Sequence, residues 1–379
     1  MREYTVSDFD RNPMMFYYET TQACDLQCRH CRASAQREAA SGELSTEFAK
    51  RLIAQVASFP RKPHMVFTGG DPLKRPDLFE LLRYAITVHG LDVAMTPSAT
   101  PLATYESLSR AKDTGVGAFG VSLDAADAAT HDAFRGLDGS FARTWEILRW
   151  SQQLGVPVQV NTTISRRNVS QIDAMAEQLA KFGIAMWSLF LLIPVGRGVE
   201  ESRISPAEYE EVFAKIYGHA CRQPYAVKTC EAPHYRRWVL QHGDHPLHVR
   251  RQSKESRETE CGQERGRPSN RPVHRAPLGV GDGKGVMFVS HLGEICPAGF
   301  LPIVCGRFPN DSVVDIYQNH PTFRLLRTPD RLRGNCGRCE YRYVCGGSRS
   351  RAFAVTGDCT ASEPDCVYTP DPNATVVRP

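Results

Sequence analysis

The sequence predicts an α/β fold: an open, partial (β/α)6 barrel of the TIM type followed by a small cysteine-rich C-terminal unit. Two observations carry that expectation. First, from residue 14 to about 195, apolar strand-like runs alternate strictly with helical stretches, which argues for parallel βα units. Second, beyond about Gly279 the composition changes to Gly, Cys and short strand signals. The chain therefore divides into 1–205 (barrel), 206–278 (bridging helices and a basic loop) and 279–379 (cysteine-rich unit).

The expected strands are 14–20, 64–68, 92–96, 118–123, 156–164 and 185–193. Between them lie helical stretches at 46–59, which follows Ser45 as a cap, and at 76–89, 102–113, 140–154 and 169–182. Residues 200–243 read as helical bridging structure, clearest over 206–217. In barrels of this kind the active residues sit in loops after the C-terminal ends of the strands. Every chemically suggestive motif in the first 200 residues falls at such a place.

Composition narrows the class. With 379 residues, 41% of them hydrophobic and 23% charged, the chain has ordinary soluble values and room for a barrel plus a smaller unit. The N-terminus has no apolar run and no stretch reaches transmembrane length, so neither export nor a membrane is expected. Thirteen cysteines without an export signal point to metal ligands in a reducing cytoplasm. The net charge of +4 gives no reason to expect a nucleic-acid partner. Residues 246–275 carry eight Lys/Arg against four Asp/Glu. They read as a solvated loop or as a patch for an acidic substrate.

The densest motif is Cys24-Asp-Leu-Gln-Cys28-Arg-His30-Cys31, spaced C-x3-C-x2-C. Iron–sulfur cubanes are usually held by four thiolates, so three leave one iron open for another ligand. A structural zinc site that borrows a distant ligand is the alternative, although zinc spacings normally pair their cysteines.

This motif resembles the signature of radical S-adenosylmethionine (SAM) enzymes, with His30 in the aromatic slot. The resemblance implies a 4Fe-4S cluster whose open iron chelates SAM. It also implies reductive cleavage to a 5′-deoxyadenosyl radical that abstracts hydrogen from substrate. Thr68-Gly69-Gly70-Asp71-Pro72 resembles the family's Gly-Gly-Glu-Pro turn, implying that Gly69, Gly70 and Asp71 hold the SAM amino group. Read without it, the segment is a good βα turn. Ser122 and Asp124 take the place of the polar pair for the ribose and the methionine carboxylate, and Arg135 that of a carboxylate partner. Ser98 and Asn161 are further implied contacts. The segment 191–198, with Leu192 and Pro194, corresponds to the one that packs near adenine.

The C-terminal block, Cys336-x2-Cys339-x5-Cys345 and then Cys366, resembles the SPASM or twitch extension that holds auxiliary clusters. A full SPASM domain needs another cysteine where this chain has Arg349. The expectation is therefore one auxiliary 4Fe-4S cluster on Cys336, Cys339, Cys345 and Cys366. Cys359 competes for the fourth place, and a zinc ion is the alternative occupant. Cys296 and Cys305 are left without an assigned role, as are Cys230 and Cys261. The cluster Cys230, Glu231, His234, Tyr235, Arg236 and Arg237 is a candidate grip for an anionic substrate.

The expected activity is that of a radical SAM oxidoreductase or maturase fed by a flavodoxin- or ferredoxin-type reductant. The substrate reading prefers a ribosomal peptide over a tetrapyrrole side chain or another small molecule. A non-enzymatic iron–sulfur carrier is the remaining alternative.

Overall fold

The structure is a computed structural model and describes residues 4–242 and 279–379. The basic stretch 246–275 and Cys261 lie outside the described residues. Six strands match the expected runs: β1 Met15–Glu19, β2 His64–Thr68, β3 Val93–Met95, β4 Ala118–Ser122, β5 Val158–Ile164 and β6 Met186–Leu191. Helices α1 Thr46–Ala57, α2 Leu78–Arg83, α3 Tyr105–Asp113, α4 Ala128–Arg135, α5 Ser140–Leu154 and α6 Ile172–Leu179 lie between them, with α4 and α5 both between β4 and β5.

Local chemistry accounts for these elements. Ser45 caps α1 by accepting from the Phe48 amide, and the apolar stripe Ala49, Leu52, Ile53 and Val56 is buried at helical spacing. The expected helix 76–89 is shorter as an α-helix, because residues Tyr84–Val88 widen into a π-turn. Helix α4 is absent from the expected set. Its N-cap Asp127 and its left-handed C-cap Gly136 bound only eight residues, too few for a strong periodic signal.

Strand β5 shows how the barrel presents side chains. Val158, Val160, Thr162 and Ile164 are buried against the outer layer, while Gln159, Asn161 and Thr163 line interior cavities. The same period of two puts Trp187, Leu189 and Leu191 of β6 into the outer core and Met186 and Phe190 inward.

The bridging region 200–243 is not purely helical. It holds α7 Pro206–Arg222, then β7 Ala226–Cys230, then α8 His234–His242. Strand β7 pairs in parallel with β6, so the alternating series has a seventh strand. Beyond residue 279 come β8 Val286–Val289, β9 Glu294–Cys296 and β10 Gly306–Arg307. The helices α9 Val313–Asn319, α10 Pro321–Leu326, α11 Gly334–Arg338 and α12 Arg349–Thr356 follow.

Strand β8 pairs in parallel with β1, and β9 and β10 add antiparallel strands outside it. The sheet order is β10-β9-β8-β1-β2-β3-β4-β5-β6-β7, with β7 at one edge, so the barrel is open. The breaks at 205 and 278 are changes in sequence character. The sheet runs on across both, because a strand beyond each break pairs with one from the first 205 residues.

Candidate functional site

The cysteine loop follows β1 and is held from several sides by backbone. Gly70 N and Asp71 N donate to the Thr21 and Ala23 carbonyls at 2.8 and 2.7 Å. A Cβ on Gly70 would stand 2.4 Å from the Ala23 carbonyl oxygen, so only glycine permits this approach. Gly196, at φ +55°, presses equally closely on the Cys31 and Arg32 carbonyls. Arg197 then donates from Nε to the Cys28 carbonyl at 2.8 Å and from Nη1 to the Ala35 carbonyl at 2.7 Å. The turns after β2 and β6 thus clamp the loop.

Cys24, Cys28 and Cys31 share the wall of one cavity of about 160 Å3 with His30, Gly69, Gly70, Ser98, Arg135 and Leu192. All three thiols are free. The Leu26 amide lies 3.4 Å from Cys24 Sγ, the Ala35 amide 3.4 Å from Cys31 Sγ, and Arg135 Nη1 3.6 Å from Cys28 Sγ. N–H groups aimed at sulfur are what thiolate cluster ligands require. Burial pushes the Cys24 thiol up to about 12, so its thiolate calls for a cationic partner. Among the described residues, no three or more His, Cys, Asp or Glu side chains close to the spacing of a single metal ion. The donor set and the adjoining cavity fit the larger four-iron group.

The structure gives several expected site residues other duties. Asp71 is fully buried, and its carboxylate accepts from Thr100 Oγ1 at 2.7 Å and from the Leu73 and Ser98 amides. It braces the turn and lines neither cavity. Burial raises its carboxyl to about 6. Asp124 is also fully buried. It pairs with Arg135 Nε at 2.6 Å and accepts from the Thr163 amide at 2.7 Å. It neutralises Arg135, which in turn reaches both the cavity and Cys28. Pro194 lines neither cavity, whereas its neighbours Leu192 and Ile193 line the smaller one.

His30 packs on Phe134 at 4.3 Å between ring centroids, and burial lowers its pKa to about 4, so it is neutral near pH 7. Ser98 donates to the Gly70 carbonyl at 2.9 Å beside Cys24. Ser122 and Asn161 line a second, open cavity of about 3350 Å3 that runs through the barrel interior and out past the strands' N-terminal ends, where Tyr4, Pro60 and His64 line it.

The two cavities meet at residues the sequence reading passed over. Phe190 and Phe300, ring centroids 6.1 Å apart, line both, as does Arg32; Gly69, Gly70, Ser98, Arg135 and Glu231, already singled out in the sequence, line both as well. Arg32 pairs with Glu19 at 2.8 Å and lies over the Phe288 ring. Of the candidate anion grip, Cys230, Glu231, Tyr235 and Arg236 face the large cavity. His234 is instead packed against Tyr209 and Phe213, and Arg237 is paired with Glu210.

In the C-terminal unit, Cys339, Cys345 and Cys366 each feel the charge of Cys336, and Cys345 feels that of all three others. That mutual reach gathers the four thiols. Cys336 Sγ receives the Glu363 amide at 3.2 Å, and Cys345 Sγ receives the Gly347 amide at 3.4 Å. Again the donors fit a thiolate cluster. Cys359, the competitor, packs instead with Ala298, Leu301 and Leu326, within reach of Cys305.

Comparison with known proteins agrees with this geometry. The model of the Radical SAM superfamily matches residues 18–179. The AdoMet-dependent heme synthase of Methanosarcina barkeri is 37% identical over 358 residues, 94% of this chain and 97% of that one. The PqqA peptide cyclase of Rhodopseudomonas palustris is 24% identical over 364 residues, 94% of this chain and 88% of that one. Among solved structures, native anSMEcpe with bound AdoMet has a TM-score of 0.65 at 14% identity, covering 93% of this chain and 94% of that one. That structure speaks for the fold. No helix among the described residues is long and apolar enough to cross a membrane.

Proposed function

The chain belongs to the radical SAM superfamily, and from that premise we propose that it abstracts hydrogen from a tetrapyrrole side chain in a step of heme synthesis. The preference for a peptide substrate gives way here. Likeness over nearly the full chain is 37% to a heme synthase against 24% to a peptide cyclase. The geometric observation that carries the reading is the pair of adjoining cavities. The small one has the three cysteines in its wall, and the large one, about 3350 Å3, has room for a macrocycle.

The site residues divide the work. Cys24, Cys28 and Cys31 would hold the 4Fe-4S cluster that, with SAM, supplies the 5′-deoxyadenosyl radical. Gly69 and Gly70 bring backbone to the cavity wall beside Ser98. Arg135, its charge balanced by Asp124, supports the Cys28 sulfur. Phe190 and Phe300 line both cavities and give their junction an apolar wall. Cys336, Cys339, Cys345 and Cys366, in the unit from residue 279 onward, would hold an auxiliary four-iron cluster that supplies an electron acceptor. A flavodoxin- or ferredoxin-type protein would supply the incoming electron.

The test uses anaerobically reconstituted protein with SAM, dithionite and iron coproporphyrin III deuterated on its side chains. Deuterium in 5′-deoxyadenosine, with a matching mass change in the tetrapyrrole, is the expected result. SAM cleavage that never takes label from the tetrapyrrole would overturn the substrate assignment. Absence of 5′-deoxyadenosine in every condition would overturn the enzymatic reading.

A further inference from the structure

Two buried arginines each touch one cysteine sulfur, one at each thiol group, and they differ in how their charge is balanced. At the N-terminal group, Arg135 Nη1 lies 3.6 Å from Cys28 Sγ, and the same guanidinium pairs with Asp124 at 2.6 Å. The charge brought to that sulfur is largely cancelled. At the C-terminal group, Arg349 Nη2 lies 3.5 Å from Cys336 Sγ. Its other N–H groups go to the carbonyls of Gly347, Cys359 and Ala361, which are neutral acceptors. Among the described residues no carboxylate forms an ion pair with Arg349. The acidic side chains Asp282 and Asp358 lie near enough to feel its charge but make no ion pair with it: Asp282 accepts from the Ser350 amide and hydroxyl, and Asp358 accepts from Thr360 and pairs with Arg333.

Arg349 follows Cys345 by four residues and opens α12. It is 6% exposed and its guanidinium is fixed by three carbonyls, so its contact with Cys336 is not a mobile surface encounter. Hydrogen bonds to cluster sulfurs and positive charge nearby both favour the reduced, more negative state of an iron–sulfur centre. The protein thus presents an arginine with a direct carboxylate partner to one set of cysteines and an arginine without one to the other.

We propose that Arg349 is a positioning residue that raises the reduction potential of the auxiliary cluster, because the charge it brings to the Cys336 sulfur has no direct ion-pair partner. The proposal rests on the reading that Cys336, Cys339, Cys345 and Cys366 hold a four-iron cluster. With Arg349 in place, that cluster takes an electron more readily than the N-terminal cluster, which must remain a strong donor toward SAM. The direction of electron flow through the molecule is then set by the two arginines' differing counter-charges.

The experiment uses full-length protein carrying Cys24/Cys28/Cys31→Ala, so that only the auxiliary cluster is present. Iron and sulfide are counted, and the reduction potential is read by dye-poised titration followed by electron paramagnetic resonance. Arg349→Gln removes the charge. Ala361→Glu keeps Arg349 and places a carboxylate beside it, reproducing the arrangement at Asp124. Both are expected to lower the potential at unchanged iron content, while Arg349→Lys shifts it less than Arg349→Gln. Should Arg349→Gln lose its cluster, Ala361→Glu decides the matter. An unchanged potential in an iron-replete variant overturns the proposal. A triple-alanine parent that binds zinc or no metal overturns the cluster reading beneath it, which the iron count separates from a failure of the tuning itself.

Discussion

Glu231 shows most directly what a single residue contributes here. It follows β7 with φ +57°, a left-handed backbone conformation that a side chain with a Cβ adopts at a cost. Two contacts across the chain hold it: Ser348 Oγ donates to its carboxylate at 2.9 Å, and Arg351 Nη2 donates to its carbonyl at 2.8 Å. Its side chain lines both cavities. Burial, followed by the negative charge of Asp282, raises its carboxyl to about 8. The unfolded chain releases that proton near 4.5, while the folded chain keeps it to about 8. Through that window the native state binds more protons, so stability falls as pH rises. Glu231→Gln is expected to flatten the fall: from pH 5.5 to about pH 8.5, its melting temperature should decline less than that of the unmodified protein. Parallel curves would show that this carboxyl does not carry the dependence.

At the scale of elements, the turns after β2 and β6 form the cradle of the cysteine loop. A Cβ at Gly196 would sit 2.4 Å from both the Cys31 and Arg32 carbonyl oxygens, and the residue is at φ +55°. Neither contact is a flexible side-chain tip that can swing away. Gly196→Ala is therefore expected to cost more than about 1 kcal/mol and to displace the loop. The reconstituted variant should lose the iron of one four-iron cluster while keeping the other, as measured by iron counts and cluster spectra. Full iron content at both sites would mean that the clamp is dispensable.

The sequence made the cysteine loop, the six strands and the Gly69-Gly70 turn legible, because each is a local pattern of spacing or period. Arg197 was not legible. Its duty is to bind the Cys28 and Ala35 carbonyls, 169 and 162 residues earlier, and only the closing of the fold creates that contact. Asp71 and Asp124 show the opposite case. Their positions match a binding pattern, yet hydroxyl, amide and guanidinium groups from other segments occupy their oxygens. Strand β7 was hidden because Ala226–Cys230 contains lysine and threonine and is only half buried, which weakens any apolar signal.

At the scale of the whole molecule, the question is what fixes the C-terminal cysteine unit to the barrel. Arg351 of α12 is fully buried and spans that junction. Its Nη1 pairs with Glu363 at 3.1 Å and its Nε with Asp365 at 3.1 Å, while Nη2 donates to the carbonyls of Leu191, at the end of β6, and Glu231, just past β7. Asp365 is also held by Arg203 at 2.8 Å and by the Tyr209 hydroxyl at 3.0 Å. One guanidinium thus joins two barrel strands to the segment that carries Cys366. Replacing it with a methionine of similar length would leave Glu363 buried without its cation, and Asp365 with Arg203 as its one cation and the Tyr209 hydroxyl. Removing one partner from a buried pair costs about 3–5 kcal/mol, mostly as the penalty of the charge left behind. Arg351→Met should therefore lower stability by about that amount in denaturant titration. It should also lower auxiliary iron before iron at Cys24, Cys28 and Cys31, because the Glu363 amide bonded to Cys336 lies in the released segment. A variant that unfolds at the same denaturant concentration, with both iron sites filled, would mean that the sheet pairing of β8 with β1 fixes the unit without this network.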